Sequence, residues 1–101
     1  MRILMLGAGG IGGYFGGRMQ AAGGDVSFLV RPGRAAQLAR DGLRVQSPFG
    51  DLTLPAQTVT QESLNSTYDV VFVSCKAYDL ASAIEAIAPA VGPETAVIPL
   101  L

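Results

Sequence analysis

The amino-acid sequence predicts an α/β domain with a doubly wound, mainly parallel β-sheet and one inserted β-hairpin. Three observations lead there. Short apolar runs read as strands covered on both faces, segments of helical length alternate with them, and a glycine-rich turn joins the first strand to the first helix. At 101 residues, half of them apolar, the chain can build one hydrophobic core and has little left for a second. One domain over residues 1–101 is expected.

Arg2-Ile3-Leu4-Met5-Leu6 is the first strand. Its apolar run breaks at Gly7, short of the ~7–15 residues of a signal-peptide core, and the charge-free stretch from Ile3 to Gly17 falls short of the ~18 apolar residues of a membrane span. A helix follows from about Gly10 to Ala22. It carries Gly12, Gly13, Gly16 and Gly17, each costing roughly 1 kcal/mol in helix propensity relative to alanine, so close packing on the sheet and close approach of a ligand to the first turn must compensate. Gly23-Gly24 caps this helix.

Asp25 to Val30 reads as the second strand, and Pro32 opens a short helix through Ala35, Leu38 and Ala39 that closes at Gly42. Leu43-Arg44-Val45-Gln46 and Leu52-Thr53-Leu54 alternate apolar and polar about the turn Pro48-Phe49-Gly50-Asp51, the pattern of an antiparallel hairpin. Thr60 to Thr67 is polar and fits a loop or a short helix. Val70 to Val73 returns to the buried-strand pattern, Tyr78 to Ala88 has helical spacing ended by Pro89, and Thr95 to Leu100 is a last strand. With no helix after it to cover it, that strand would leave an exposed, adhesive edge, so a chain cut from a longer protein is expected.

Charged residues make up 15% of the chain and the net charge is -1, so no electrostatic footprint for nucleic acid or anionic membrane is visible. The single cysteine, Cys75, has no partner for an internal disulfide, and without histidine it cannot join a zinc site made by this chain alone. A soluble cytoplasmic protein without a metal is expected. With no base near it in sequence, Cys75 reads as a small buried filler rather than a nucleophile. Asp41, Asp51, Glu62 and Glu85 show no recognisable pairing, and the absence of histidine removes the commonest proton donor for hydride transfer. A catalytic acid would have to come from elsewhere.

Gly7-Ala8-Gly9-Gly10-Ile11-Gly12 fits Gly-x-Gly-x-x-Gly, and it stands between a strand and a helix at the start of a βαβ unit. The first glycine permits the tight turn, the second lets a pyrophosphate reach the backbone, and the third lets helix and strand pack closely, while the helix N-terminus offers free N–H groups and partial positive charge. These are the marks of a Rossmann-type dinucleotide site. An NAD-preferring site would place Asp or Glu at the end of the second strand for the ribose 2′-hydroxyl, about 20 residues past the glycines. This chain has Arg31, whose guanidinium can pair with a 2′-phosphate and stack on adenine, with Arg34 one helical turn away as support. Asp25 begins the strand and so lies at the opposite edge of the sheet. NADP(H) is the cofactor expected. Lys76 follows the strand Val70 to Val73, where ligands of open α/β sheets bind, and could face the cofactor ribose or the substrate. The alternatives are a structural glycine turn, plain surface arginines at 31 and 34, and a solvated loop lysine at 76.

Taken together, the segment 7–18, Leu29-Val30-Arg31, Gly42-Leu43-Arg44-Val45 with Gly50 beyond it, and Val73-Ser74-Cys75-Lys76-Ala77-Tyr78 resemble the N-terminal domain of the ketopantoate reductase (2-dehydropantoate 2-reductase) family over essentially the whole chain. The resemblance implies NADPH-dependent reduction of the 2-keto group of ketopantoate to pantoate, a step toward pantothenate. It implies cofactor contacts from Gly7, Ala8, Gly9, Gly10, Ile11, Gly12, Arg31 and Lys76, with Lys76 near the nicotinamide end in a supporting catalytic role. Gly24 stands where family members often carry histidine, at a structural position. The family's Asn-Gly after the last strand, and a helical C-terminal domain bearing a lysine proton donor and a substrate-binding glutamate, are not among these 101 residues. The chain is therefore expected to bind cofactor without turnover, to meet a small 2-keto acid through that further domain, and to be compatible with a homodimer. A non-catalytic NADP-sensing module is the second reading, since the fold alone would be adequate for one.

Overall fold

The computed structural model of the chain describes residues 1–7, 10–46, 48, 50–74 and 80–100. In chain order the elements are β1 (Arg2–Leu6), α1 (Gly10–Ala21), β2 (Asp25–Leu29), α2 (Pro32–Asp41), β3 (Leu43–Val45), β4 (Leu52–Leu54), β5 (Gln57–Val59), β6 (Val70–Val73), α3 (Leu80–Ile87), a 3-10 turn at Ala88–Ala90, and β7 (Ala96–Pro99). Five strands form one sheet in the order β5-β2-β1-β6-β7, every neighbouring pair parallel. β3 and β4 make a separate antiparallel hairpin with Leu43 opposite Leu54 and Val45 opposite Leu52. The doubly wound α/β domain with an inserted hairpin, expected from the sequence, is the architecture found.

Alternation along the strands divides the core in two, because successive side chains of a strand point to opposite faces. On one face Leu4, Leu29, Val71 and Val73 pack with Ala83 and Ile87 of α3. On the other, Met5, Val26, Phe28 and Val30 pack with Leu38 of α2 and with Leu43 and Val45 of the hairpin. Leu4, Met5, Val26, Phe28 and Val71 are wholly buried. Each such side chain contributes about 1.5–3 kcal/mol, which the short strands need because none exceeds five residues.

The glycines of α1 are compensated as expected, by contact. A β-carbon at Gly16 would lie 2.5 and 2.7 Å from ring carbons of Phe28 in β2, and one at Gly17 would lie 2.5 Å from a methyl of Val45 in β3. The helix sits against the sheet on one side and carries the hairpin on another. Its end is closed by the Gly23 N–H donating to the Gln20 carbonyl and the Gly24 N–H to the Met19 carbonyl, both at 2.9 Å, with Gly23 at φ +97°. This is the paired bonding that ends a helix on a left-handed residue. α2 begins on extended Arg31 with Pro32 in its first turn, and Gly42 returns its N–H to the Leu38 carbonyl.

Two elements depart from the sequence reading. β5 was not anticipated: Gln57–Val59 extends the sheet beside β2, with Ser27 opposite Gln57 and Leu29 opposite Val59. Three residues at a sheet edge, with Gln57 exposed and Thr58 and Val59 half-buried, need no apolar run and so leave little periodicity. The predicted helix Tyr78 to Ala88 corresponds to α3 followed by a 3-10 turn around Pro89, whose missing N–H ends the regular ladder. Its predicted start at Tyr78 lies outside the described residues.

The amino ends of the strands are tied by polar contacts. Arg2 lies 4.2 Å over the Tyr68 ring, donates from Nη1 to the Thr67 carbonyl at 2.7 Å, and gives its backbone N–H to Asp69 Oδ2 at 2.6 Å. Thr95 Oγ1 donates to the Tyr68 carbonyl at 2.6 Å. That edge of the sheet is occupied by structure.

If Phe28 holds the place of a side chain at 16, Gly16→Ala lowers stability by about 1–2 kcal/mol, overpacking of ~1–3 kcal/mol outweighing the ~1 kcal/mol gained in helix propensity. Gly33→Ala, where no atom lies within 4 Å of the added carbon, is neutral or stabilising. Urea denaturation midpoints of the two variants measure both, and a Gly16→Ala protein as stable as its parent contradicts the packing account.

Candidate functional site

The chain runs from β1 to β2 and on to β5 on one side, then crosses back to place β6 on the other side of β1. The order of an open α/β sheet reverses there, and ligands bind in the crevice outside the carboxyl ends of the strands at such a point. An open cleft of about 940 Å³ lies at these ends. Leu6 and Gly7 leave β1 into it, Leu29 to Arg31 leave β2, Thr60 to Glu62 leave β5, Ser74 follows β6, and Ser82, Ala83 and Ala86 of α3 form a further wall.

Gly7 has φ +89°, a left-handed turn that a side chain would strain, and its N–H donates to the Leu29 carbonyl at 2.9 Å. The chain is thereby turned at once from β1 toward α1, which Gly10 opens. A β-carbon at Gly12 would lie 3.1 Å from Ser74 Oγ and 3.2 Å from the Gly7 carbonyl oxygen. The first turn of α1 is therefore pressed onto the ends of β1 and β6. No acidic side chain stands in that turn to compete for its unsatisfied N–H groups. Ile11 lies within α1, while Ala8 and Gly9 lie outside the described residues.

Arg31 lines the same cleft, exposed, as the extended residue before α2. Its guanidinium makes no hydrogen bond or ion pair with another described residue. Arg34 is half-buried in the first turn of α2 and donates from Nη1 to Gln37 Oε1 at 2.9 Å. Both arginines line the cleft. Asp25 stands opposite Arg2 at the amino end of β2 and accepts from Gln57 Nε2 at 3.4 Å, so it is remote from the cleft. Lys76 and Cys75 lie outside the described residues, just after Ser74. The structure thus brings Gly7, Arg31 and Arg34 to one cleft, with Gly12 packed against Gly7 and Ser74 of its wall.

Sequence reasoning missed Ser74, Ser82 and the turn Thr60–Glu62 as cleft residues. The signal for the turn was Thr60 and Ser63 at turn spacing directly after a strand. That strand, β5, had itself gone unread. For Ser74 the signal was a small polar residue immediately beyond a buried parallel strand.

A cleft lined by two arginines, with the N-terminus of α1 packed beside Gly7 and Ser74 of its wall, suits a ligand that carries anionic groups. Glu62 is the one carboxylate among its described lining residues. Among the described residues, no cluster of three or more His, Cys, Asp or Glu could hold a metal ion, and no helix is long and apolar enough to cross a membrane.

Comparison with known proteins gives this arrangement relatives. The family model of the ketopantoate reductases, PanE/ApbA, matches residues 3–101. An uncharacterized oxidoreductase of Bacillus subtilis (strain 168), YkpB, is 41% identical over 101 residues, which are 100% of this chain and 33% of that protein. A 2-dehydropantoate 2-reductase of Mesorhizobium japonicum is 30% identical over 99 residues, 97% of this chain and 30% of the relative. Among solved structures, 2-dehydropantoate 2-reductase from Geobacter metallireducens GS-15 superimposes with a TM-score of 0.86 at 36% identity, covering 99% of this chain and 33% of that one. The chain spans about a third of the length of these relatives. With the family model matched over residues 3–101, and with Gly7 and Arg31 set in one cleft, the chain belongs to the ketopantoate reductase PanE/ApbA family.

Proposed function

We propose that this chain is the NADP(H)-binding part of a cytoplasmic oxidoreductase that reduces the keto group of a 2-keto acid, with 2-dehydropantoate as the substrate favoured by its relatives. The observation that carries the cofactor assignment is Arg31, a guanidinium lining the cleft where β2 ends and where an NAD-preferring site would hold a carboxylate. Relatives named 2-dehydropantoate 2-reductase support the reaction class.

The residues present fit such a cofactor. Gly12, lacking a β-carbon, lets the first turn of α1 pack against Ser74 and the Gly7 carbonyl, which sets the helix's N–H groups where a pyrophosphate can meet them. Arg31 pairs with the 2′-phosphate, and Arg34, held by Gln37, adds positive charge beside it. When bound, the nicotinamide supplies the hydride that the keto carbon accepts. Lys76 acts near the nicotinamide end in a supporting role. The alkoxide formed at the keto oxygen needs a proton, and the described cleft residues include no lysine or histidine to give it. In this reading the proton donor and the substrate contacts lie outside these 101 residues, and the chain alone binds without turnover.

Titration of the chain with NADPH and NADH tests the cofactor. NADPH binds at least about tenfold more tightly, and Arg31→Asp removes that advantage, since a charge-assisted hydrogen bond contributes ~1.5–3 kcal/mol; equal affinities in the parent would overturn the 2′-phosphate role. In a full-length protein carrying this domain, Lys76→Ala lowers keto-acid reduction by about tenfold or more, within the range of positioned catalytic groups. Unchanged steady-state kinetics would make Lys76 a solvated loop residue.

A further inference from the structure

The turn after β5 lines the cleft without a role in the function proposed above. β2 and β5 are parallel with Leu29 opposite Val59, and the Val30 N–H donates to the Val59 carbonyl at 3.0 Å, so the two segments leave the sheet side by side. Neighbouring strands lie about 4.8 Å apart. Arg31 and Thr60–Glu62 therefore enter the cleft as adjacent walls. The turn is held in place: the N–H groups of Ser63 and Leu64 donate to the Thr60 carbonyl at 3.0 and 2.9 Å, the Thr60 N–H donates to Ser63 Oγ at 2.9 Å, and Leu64 is buried in the core. Glu62 rides on it exposed, with no hydrogen bond or ion pair to another described residue.

We infer that Glu62 is a specificity-determining residue, whose carboxylate opposes the 2′-phosphate that Arg31 attracts and so limits the preference of the site for NADP(H) over NAD(H). The inference rests on the reading that the cleft holds a dinucleotide with its adenosine end at Arg31. A phosphate monoester carries about -1.5 to -2 charges at neutral pH, and a like charge on an adjacent wall of the same cleft disfavours it even in a water-like dielectric. An unphosphorylated ribose is neutral and feels no such penalty. The two residues divide the work: Arg31 makes the 2′-phosphate welcome, and Glu62 keeps that welcome from becoming exclusive. A carboxylate that instead accepted a hydrogen bond from adenine or the ribose would help both cofactors equally, which separates the two roles by experiment.

Adenosine 2′,5′-bisphosphate and adenosine 5′-phosphate differ only in the group at issue, and their dissociation constants on the chain isolate it. Glu62→Gln raises the preference for the bisphosphate about fivefold at low salt, leaves adenosine 5′-phosphate within about twofold, and loses most of the gain at about 0.5 M salt, as exposed charges are screened. Glu94→Gln makes the same change of net charge in an exposed turn outside the cleft lining and leaves the preference as it was. An unchanged preference in Glu62→Gln, a gain matched by Glu94→Gln, or an equal loss for both ligands overturns the inference. Arg31→Ala reports separately on the underlying reading: if the parent's preference survives it, the 2′-phosphate assignment fails, whatever Glu62→Gln does.

Discussion

The Phe28 ring occupies the volume that a side chain at position 16 would need, and the geometry of the cleft depends on that contact. With Gly16 against Phe28 and Gly12 against Ser74 and the Gly7 carbonyl, α1 lies flat on β1, β2 and the end of β6 along its first two turns. Its N-terminus is thereby brought to the carboxyl ends of the strands instead of standing off by the width of a side chain. Four glycines would weaken an isolated helix by several kcal/mol. The sheet repays this through buried apolar contact, and the result is a helix start fixed where an anion can use it.

The two edges of the sheet have separate tasks. At the amino ends, Arg2, Tyr68, Asp69 and Thr95 satisfy one another through stacking and hydrogen bonds, and they close that edge. At the carboxyl ends the backbone turns sharply at Gly7, and Arg31 and Thr60–Glu62 line a cleft. Asp25 and Arg31 bracket the same strand, yet only one of them lies where a ligand could meet it. Position along a parallel strand decides this, and residue type alone does not.

Much of this was legible in the sequence, for physical reasons that differ from one element to another. β1, β2 and β6 show as apolar runs because both faces of each are covered, and the hairpin shows as alternation because one face is not. The glycine turn was readable because its spacing answers to backbone geometry as well as to composition. β5 was not readable. It owes its place to hydrogen bonds with β2 and to the chain returning from the hairpin, neither of which leaves a mark on Gln57, Thr58 or Val59. With β5 hidden, the wall formed by Thr60–Glu62 was hidden too, since nothing local says that a polar turn faces a cleft. Ser74 went unread because a small hydroxyl beyond a strand looks the same whether it touches a helix or water.

The contact between Gly17 and Val45 carries a consequence for how such a domain changes over generations. The hairpin is an insertion by connectivity, but its inner face rests on α1 through a gap only as deep as a missing β-carbon. Volume added at 17 must be removed at 43 or 45, and a bulkier hairpin would lever the helix away from the sheet and its N-terminus away from the cleft. Helix and hairpin therefore drift as one unit. Grafting a hairpin from a relative without its matching helix would be felt first where the N-terminus of α1 meets Gly7 and Ser74, away from the grafted residues.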